Sequence, residues 1–251
     1  MAVPDKSRIR QRFAGSSETY ATHAHVQQQA AESLVEMVCG TGQRHFDRIL
    51  EIGCGAGLLT QRIQQHLTYS TLFLNDLVED CRVLTESLPD TAFLAGDIER
   101  IGDVPDRLDL VISSSTFQWL HDLAGLLDRL DRCMSPDAVL AFSTFGPDNL
   151  KEIASLCHDV LNYLAVDELE DAVPDGFEIR EVREQACERV FDDPMAVLQH
   201  LKKTGVTSVT SRLWTQAGLQ DFIRAYGERF GRENGVVLTY HPVWIIARKG
   251  A

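Results

Sequence analysis

The sequence has no run of eighteen or more apolar residues, so no segment of it reads as a membrane-crossing helix. Its opening stretch, MAVPDKSRIRQRF, is basic but lacks the apolar core of a secretory signal, which sets the expectation of a cytoplasmic protein. Cysteines are few and scattered. Cys39, Cys54, Cys81, Cys133, Cys157 and Cys187 form no CxxC pair, which argues for reduced thiols and against a disulfide frame or a zinc site. Positive charge is also scarce, with 24 Lys and Arg against 37 Asp and Glu. The net charge of −13 disfavours nonspecific nucleic-acid binding, which depends on neutralising phosphates. Neither an internal repeat nor a low-complexity tract is present. What is there, 44% hydrophobic and 24% charged over 251 residues, suits a globular chain with a sizeable core.

Residues from about 5 to 38 carry apolar positions at helical spacing: Ile9 with Phe13, then Val26, Ala30 and Leu34. Thr41 and Gly42 break the pattern. Five short apolar runs follow, at 48–53, 71–76, 91–97, 108–114 and 138–145, separated by polar helical stretches. Strands that alternate with helices imply crossover connections and a parallel sheet. Beyond residue 146 the stretches NLKEIASLCHDVLNYL and PMAVLQHLKKTGV read as helices, with one or two short strands among loops. The last segment, VVLTYHPVWIIARK, reads as a strand pair or one strand interrupted near Pro242. The expected organisation is an N-terminal helical lid over 1–45 and a Rossmann-like α/β core over 46–146 and 233–251. A mostly helical insertion over 147–232 would contribute to the substrate site.

The strongest local constellation is ILEIGCGAGLLT, where a strand runs into Gly53, Gly55 and Gly57 and a helix follows. Glycines there let the chain turn tightly and let a ligand press on bare backbone. The spacing is E-x-G-x-G-x-G, not the G-x-G-x-x-G that seats a pyrophosphate, and Glu51 would repel a phosphate. A ligand with an amino-acid tail and no phosphate suits the loop better, with Glu51 meeting its cationic amino group. Asp76, with Leu77 beside it, ends the second run and is placed to accept hydrogen bonds from two ribose hydroxyls. Asp97 ends the third run, where it would take an adenine amino group while Ile98 covers the ring. The fourth run ends in ISSSTFQWLHD: Ser113 would offer its carbonyl to the ligand's amino group, and Gln118 and Trp119 would face the reacting end.

These motifs resemble the class I S-adenosylmethionine-dependent methyltransferases. Within them, RIRQRFAGSSETYATHAHVQQQAA, LAGDIE, FGPDNLKEI, LKKTGV and LTYHPVWIIARK resemble the biotin-pathway malonyl-[acyl-carrier protein] O-methyltransferases, over nearly the whole chain. The resemblance implies S-adenosylmethionine as cofactor and an acyl-carrier protein bearing a malonyl thioester as partner. Methylation of the free malonyl carboxylate would give the disguised primer for pimeloyl synthesis. It implies no nucleic-acid or membrane partner, no metal, and a monomer. A carboxylate is ionised at neutral pH, so no general base is needed. Tyr20 and Gln28 would close over the cofactor. Tyr20, His23, Gln118, Trp119, Lys202 and Arg212 are the candidates for lid and carboxylate clamp, an Arg fork being well shaped for that role. Two other readings stay open at this point: an arginine hydroxylase-like assembly factor with the same cofactor fold, and a methyltransferase of a small free carboxylic acid.

Overall fold

The computed structural model describes residues 4–157, 161–205 and 215–250; the side chains of residues 12 and 14–21 lie outside the described set. Helices α1 (Lys6–His23) and α2 (His25–Gly40) precede β1 (His45–Ile52), α3 (Leu58–His66) and β2 (Thr68–Asp76). A 3-10 helix, Glu79–Ser87, leads to β3 (Thr91–Ala95) and β4 (Leu108–Ser114). After a short turn come α4 (Leu123–Asp131), β5 (Met134–Phe145), α5 (Lys151–Ala154) and α6 (Val166–Asp171). The chain continues through β6 (Phe177–Glu184), β7 (Cys187–Phe191), α7 (Pro194–Lys203) and α8 (Gln216–Phe230), and ends in β8 (Gly231–Arg232), β9 (Gly235–Tyr240) and β10 (Pro242–Lys249).

Strand alternation sorts the core into two layers. Ile49 of β1, Leu74, Ile112 and Ala141 face α2 and α3, whereas Leu50, Ile52, Val111 and Phe142 face α4 and α6. Each fully buried Leu or Ile here contributes roughly 1.5–3 kcal/mol by leaving water. The main sheet has the order β3-β2-β1-β4-β5-β10-β6. Its first five strands are parallel, while β10 runs antiparallel between β5 and β6. The chain leaves β1 towards β2 and β3, then returns to β4 on the other side. The crevice at the carboxyl ends of β1 and β4 is therefore the place where this topology receives a ligand. Trp244 of β10 donates its indole N–H to the Ala30 carbonyl at 2.9 Å and ties the second helix to the sheet.

The stretch expected as helical over about 5–38 is a pair of helices that meet at Ala24, which leaves the helical region at φ −85° and ψ 48°. The two halves therefore point in different directions, and α1 is free to cross the crevice. Among the described residues, the helix expected over NLKEIASLCHDVLNYL shortens to the four residues of α5. Glu152 there is buried and accepts from the Thr239 amide and hydroxyl, at 2.9 and 2.5 Å, while the Leu150 amide donates to the Thr239 carbonyl. Tertiary bonding to β9 overrides the local periodicity. The one or two short strands expected among the helices of 147–232 correspond to β6, which joins the edge of the main sheet, and β7, which pairs with β9 in a second, three-stranded sheet.

Candidate active site

A cavity of about 530 Å³ opens where β1, β2, β3 and β4 end, a size suited to a small organic ligand. Its floor is the glycine loop. Gly53 sits at φ +74°, and a Cβ there would collide with Thr116, so the loop presents bare backbone to the cavity. The amides of Gly53 and Cys54 both donate to the Asn75 carbonyl, which locks the loop to the end of β2. Gly55 fixes the next side chain. Its amide donates to Asp76 Oδ2 at 2.8 Å, and the Val78 amide donates to Oδ1 at 2.8 Å. With further bonds from the Leu77 amide and the Cys81 thiol, these hold the carboxylate at the cavity wall, and burial raises its pKa. Leu77, Asp97 and Ile98 complete the wall on the β2–β3 side.

Helix α1 forms the roof through Lys6, Ile9, Arg10 and Phe13. Lys6 bonds Asp97 Oδ1 at 2.5 Å and also pairs with Glu99, so the helix is pinned over the end of β3. The Phe13 ring meets Trp119 edge-on with centroids 6.0 Å apart. Behind this pair lies a second, small cavity of about 10 Å³, room for one water. Phe13, Gln27, Ser115 and Trp119 belong to both cavities; Gln118, Phe145, Asn149, Tyr163, Thr204 and Tyr240 line the second alone. Gln118 is held through its amide, donating to the Ser115 carbonyl at 2.7 Å and accepting from Thr144 at 3.1 Å. Among the described residues, no charged side chain lines this second cavity.

The structure thus brings Gly53, Gly55, Asp76, Leu77, Asp97, Ile98 and Trp119 to one cavity, and Gln118 to its neighbour. Other expected residues stand elsewhere. Glu51 faces α3, not the cavity, because it shares the face of Ile49 two positions earlier on β1. It is fully buried, and both its carboxylate oxygens lack hydrogen-bond partners. Thr60 is a polar neighbour but makes no well-formed bond to it, and burial pushes Glu51 up to about 8. Gly57, at φ +81°, caps α3 and faces Leu84 instead of the cavity. Gln28 is replaced on the wall by Gln27, since one helical step turns a side chain by about 100°. Its Oε1 lies 3.3 Å from the His25 ring instead. Ser113 is fully buried with its hydroxyl on the Ile52 carbonyl at 2.9 Å; the cavity meets Ser114 and Ser115.

His23 and Lys202 line neither cavity: His23 contacts Lys203 Nζ at 3.2 Å, and Lys202 is exposed on α7. Arg212 and the side chain of Tyr20 lie outside the described residues. Sequence reasoning missed Gln27, Asn149, Tyr163, Thr204 and Tyr240. Asn149 and Tyr240 sit inside the stretches FGPDN and LTYHP, which were recognised as distinctive without a role being attached. The scattered cysteines also behave differently in space: Cys54 and Cys81 lie together beside Asp76.

The sequence pattern of a methyltransferase domain matches residues 50–142. A malonyl-[acyl-carrier protein] O-methyltransferase of Chlorobium luteolum is 35% identical over 98% of this chain and 97% of its own length. Another, of Calditerrivibrio nitroreducens, is 40% identical over 92% of this chain and 91% of its own. Among solved structures, the N-methyltransferase NodS of Bradyrhizobium japonicum, in complex with S-adenosyl-L-homocysteine, shares the fold. The match has a TM-score of 0.55 at 12% identity and spans 93% of this chain and 99% of that one.

Proposed function

Because the chain belongs to the malonyl-[acyl-carrier protein] O-methyltransferase family, we propose that it methylates the free carboxylate of a malonyl group borne by acyl-carrier protein, with S-adenosylmethionine as donor. The observation that carries this reading is the pairing of two adjoining cavities with opposite chemistry. One is bordered by strand-end acids and bare glycine backbone; the other offers neutral hydrogen-bond donors within an aromatic wall.

The first cavity fits S-adenosylmethionine. Asp76 borders the cavity where the ribose hydroxyls would lie, and Asp97 with Ile98 stands where adenine would lie. Glu51, buried beneath the loop and held protonated by that burial, adds no negative charge to the cavity floor. Bound there, the cofactor supplies a methyl group on a sulfonium, ready for displacement by an oxygen nucleophile.

The second cavity belongs to the acceptor. Asn149 and Tyr163, hydrogen-bonded to each other, offer donors to the far oxygen of the malonyl carboxylate, while the Thr204 hydroxyl is spent on the His200 carbonyl. Neutral donors orient a carboxylate without the tight ion pair that would quench its nucleophilicity, and Phe13, Trp119 and Phe145 exclude the water that would solvate it. Room for one water is too little for an acyl group, so α1 must lift Phe13 for the substrate to enter. That motion makes α1 a lid. The carrier would dock around the α1–α7 junction: Lys202 and Lys203 directly precede Thr204 of the acceptor wall, and Arg189, His23 and His25 lie nearby.

Since the nucleophile is already an anion, turnover should be flat between about pH 6 and 8. Initial-rate measurements across that range test this. A steep fall in rate towards acid pH that is absent in His23→Ala would replace the mechanism with general-base catalysis.

A further inference from the structure

Cys54 lies in the glycine loop and Cys81 in the first turn of the 3-10 helix after β2. The fold places their sulfurs and an Asp76 oxygen all within 4.8 Å of one another. The two thiols are hydrogen-bond neighbours, and all three residues border the larger cavity. Cys54 is buried and held by the locked loop. Cys81 is not held so firmly, because the helix that carries it buries none of its residues. Two sulfur ligands and one carboxylate are the donor set of a soft divalent cation, not of magnesium or calcium, which prefer all-oxygen sites. Tetrahedral zinc with bonds of about 2.0–2.3 Å sets its ligand atoms roughly 3.3–3.8 Å apart. The remaining contraction is a small movement of Cys81 towards Cys54. Asp76 accepts from the Cys81 thiol as well as from backbone N–H groups, and loss of that thiol proton on metal binding frees the lone pair for the metal.

We propose that Cys54, Cys81 and Asp76 form a site for a zinc-class divalent cation, and that its occupancy excludes the cofactor by taking the carboxylate that would bind the ribose. The fourth position opens to the cavity and is filled by water. Binding displaces the two thiol protons to solvent, so the site changes from two thiols and a carboxylate to two metal-bound thiolates and a metal-bound carboxylate. The binding half of the claim stands on geometry alone; the exclusion half rests on the ribose reading of Asp76. The enzyme would therefore lose cofactor affinity wherever free zinc rises, with no change in the fold.

The test uses the full chain, reduced and stripped of metal, with cobalt(II) as an optical probe and zinc measured by competition with a chromophoric chelator. One equivalent of cobalt should produce a thiolate charge-transfer band, which zinc abolishes and excess magnesium leaves unchanged. Cys81→Ser should weaken zinc binding at least tenfold. Saturating S-adenosylhomocysteine should raise the apparent zinc Kd tenfold or more. Absence of the band, or a band that persists in both Cys81→Ser and Cys54→Ala, overturns the site. A band indifferent to S-adenosylhomocysteine overturns the exclusion. Calorimetry of S-adenosylhomocysteine in chelator, run in parallel, examines the cofactor reading by itself: failure to bind there condemns that reading, whereas the cobalt band still decides the metal site.

Discussion

Glu51 and Asp76 show how one fold buries two acids with different hydrogen-bond partners. Glu51 has no hydrogen-bond partner and is pushed by burial up to about 8, whereas Asp76 is held by two backbone amides. The folded chain keeps Glu51 protonated at a pH where the unfolded chain ionises it. Its contribution to stability therefore falls as pH rises from about 4.5 towards 8. Glu51→Gln should remove that slope. Thermal melts of the ligand-free protein should show the variant gaining on the wild type from pH 5 to pH 8, by roughly 1–3 kcal/mol across the range; parallel curves would mean that Glu51 is ionised in the fold. Asp76→Ala should weaken S-adenosylmethionine at least tenfold by calorimetry, since hydrogen bonds to a charged acceptor are worth roughly 1.5–3 kcal/mol. Unchanged affinity in a folded variant would remove Asp76 from the ribose. Sequence reasoning found Asp76 because strand-end acids are visible as letters. It singled out Gln28 and Ser113 where Gln27, Ser114 and Ser115 line the cavity, because a single step turns a side chain to another face and the phase of α2 and β4 against the cavity is set by packing partners far along the chain.

At the scale of elements, the five parallel strands were legible because each is a short apolar run bounded by polar or glycine-containing segments. Their order follows from crossover rules. The shortening of α5 was not legible: its cause is Thr239, more than eighty residues away, which claims Glu152 and the Leu150 backbone. Periodicity alone does not mark the break between α1 and α2 at Ala24; the expectation of an N-terminal helical lid comes from the family resemblance. Lys6 and Phe13 hold α1 at its two points of closure, one on Asp97 and Glu99, the other on Trp119. Lys6→Ala should release the first. Hydrogen exchange of residues 6–13 should speed up severalfold, and S-adenosylhomocysteine should dissociate faster. Exchange that matches the wild type in the free enzyme would show that the lid is fastened elsewhere.

For the whole molecule, a net charge of −13 leaves little cationic surface for an acidic carrier to find. The fold concentrates some of it. Burial together with Arg189, His23, His25 and Lys203 lowers His200 to about 4, a sign of the positive field at the α1–α7 junction. Reversing Lys202 and Lys203 to Glu should slow turnover of the carrier-bound substrate several-fold at low salt while S-adenosylmethionine affinity stays put; added salt should slow the wild type. Equal rates would move the docking surface away from α7. The central claim is that an ionised malonyl carboxylate on a carrier protein receives the methyl group, and mass spectrometry of malonyl-carrier protein after incubation with enzyme and S-adenosylmethionine tests it most directly. The account predicts a carrier heavier by one methyl group, borne as an ester, with an equal amount of S-adenosylhomocysteine, and no change in acetyl-carrier protein, which has no free carboxylate. An unmodified malonyl-carrier protein, or equal methylation of the acetyl form, would contradict it.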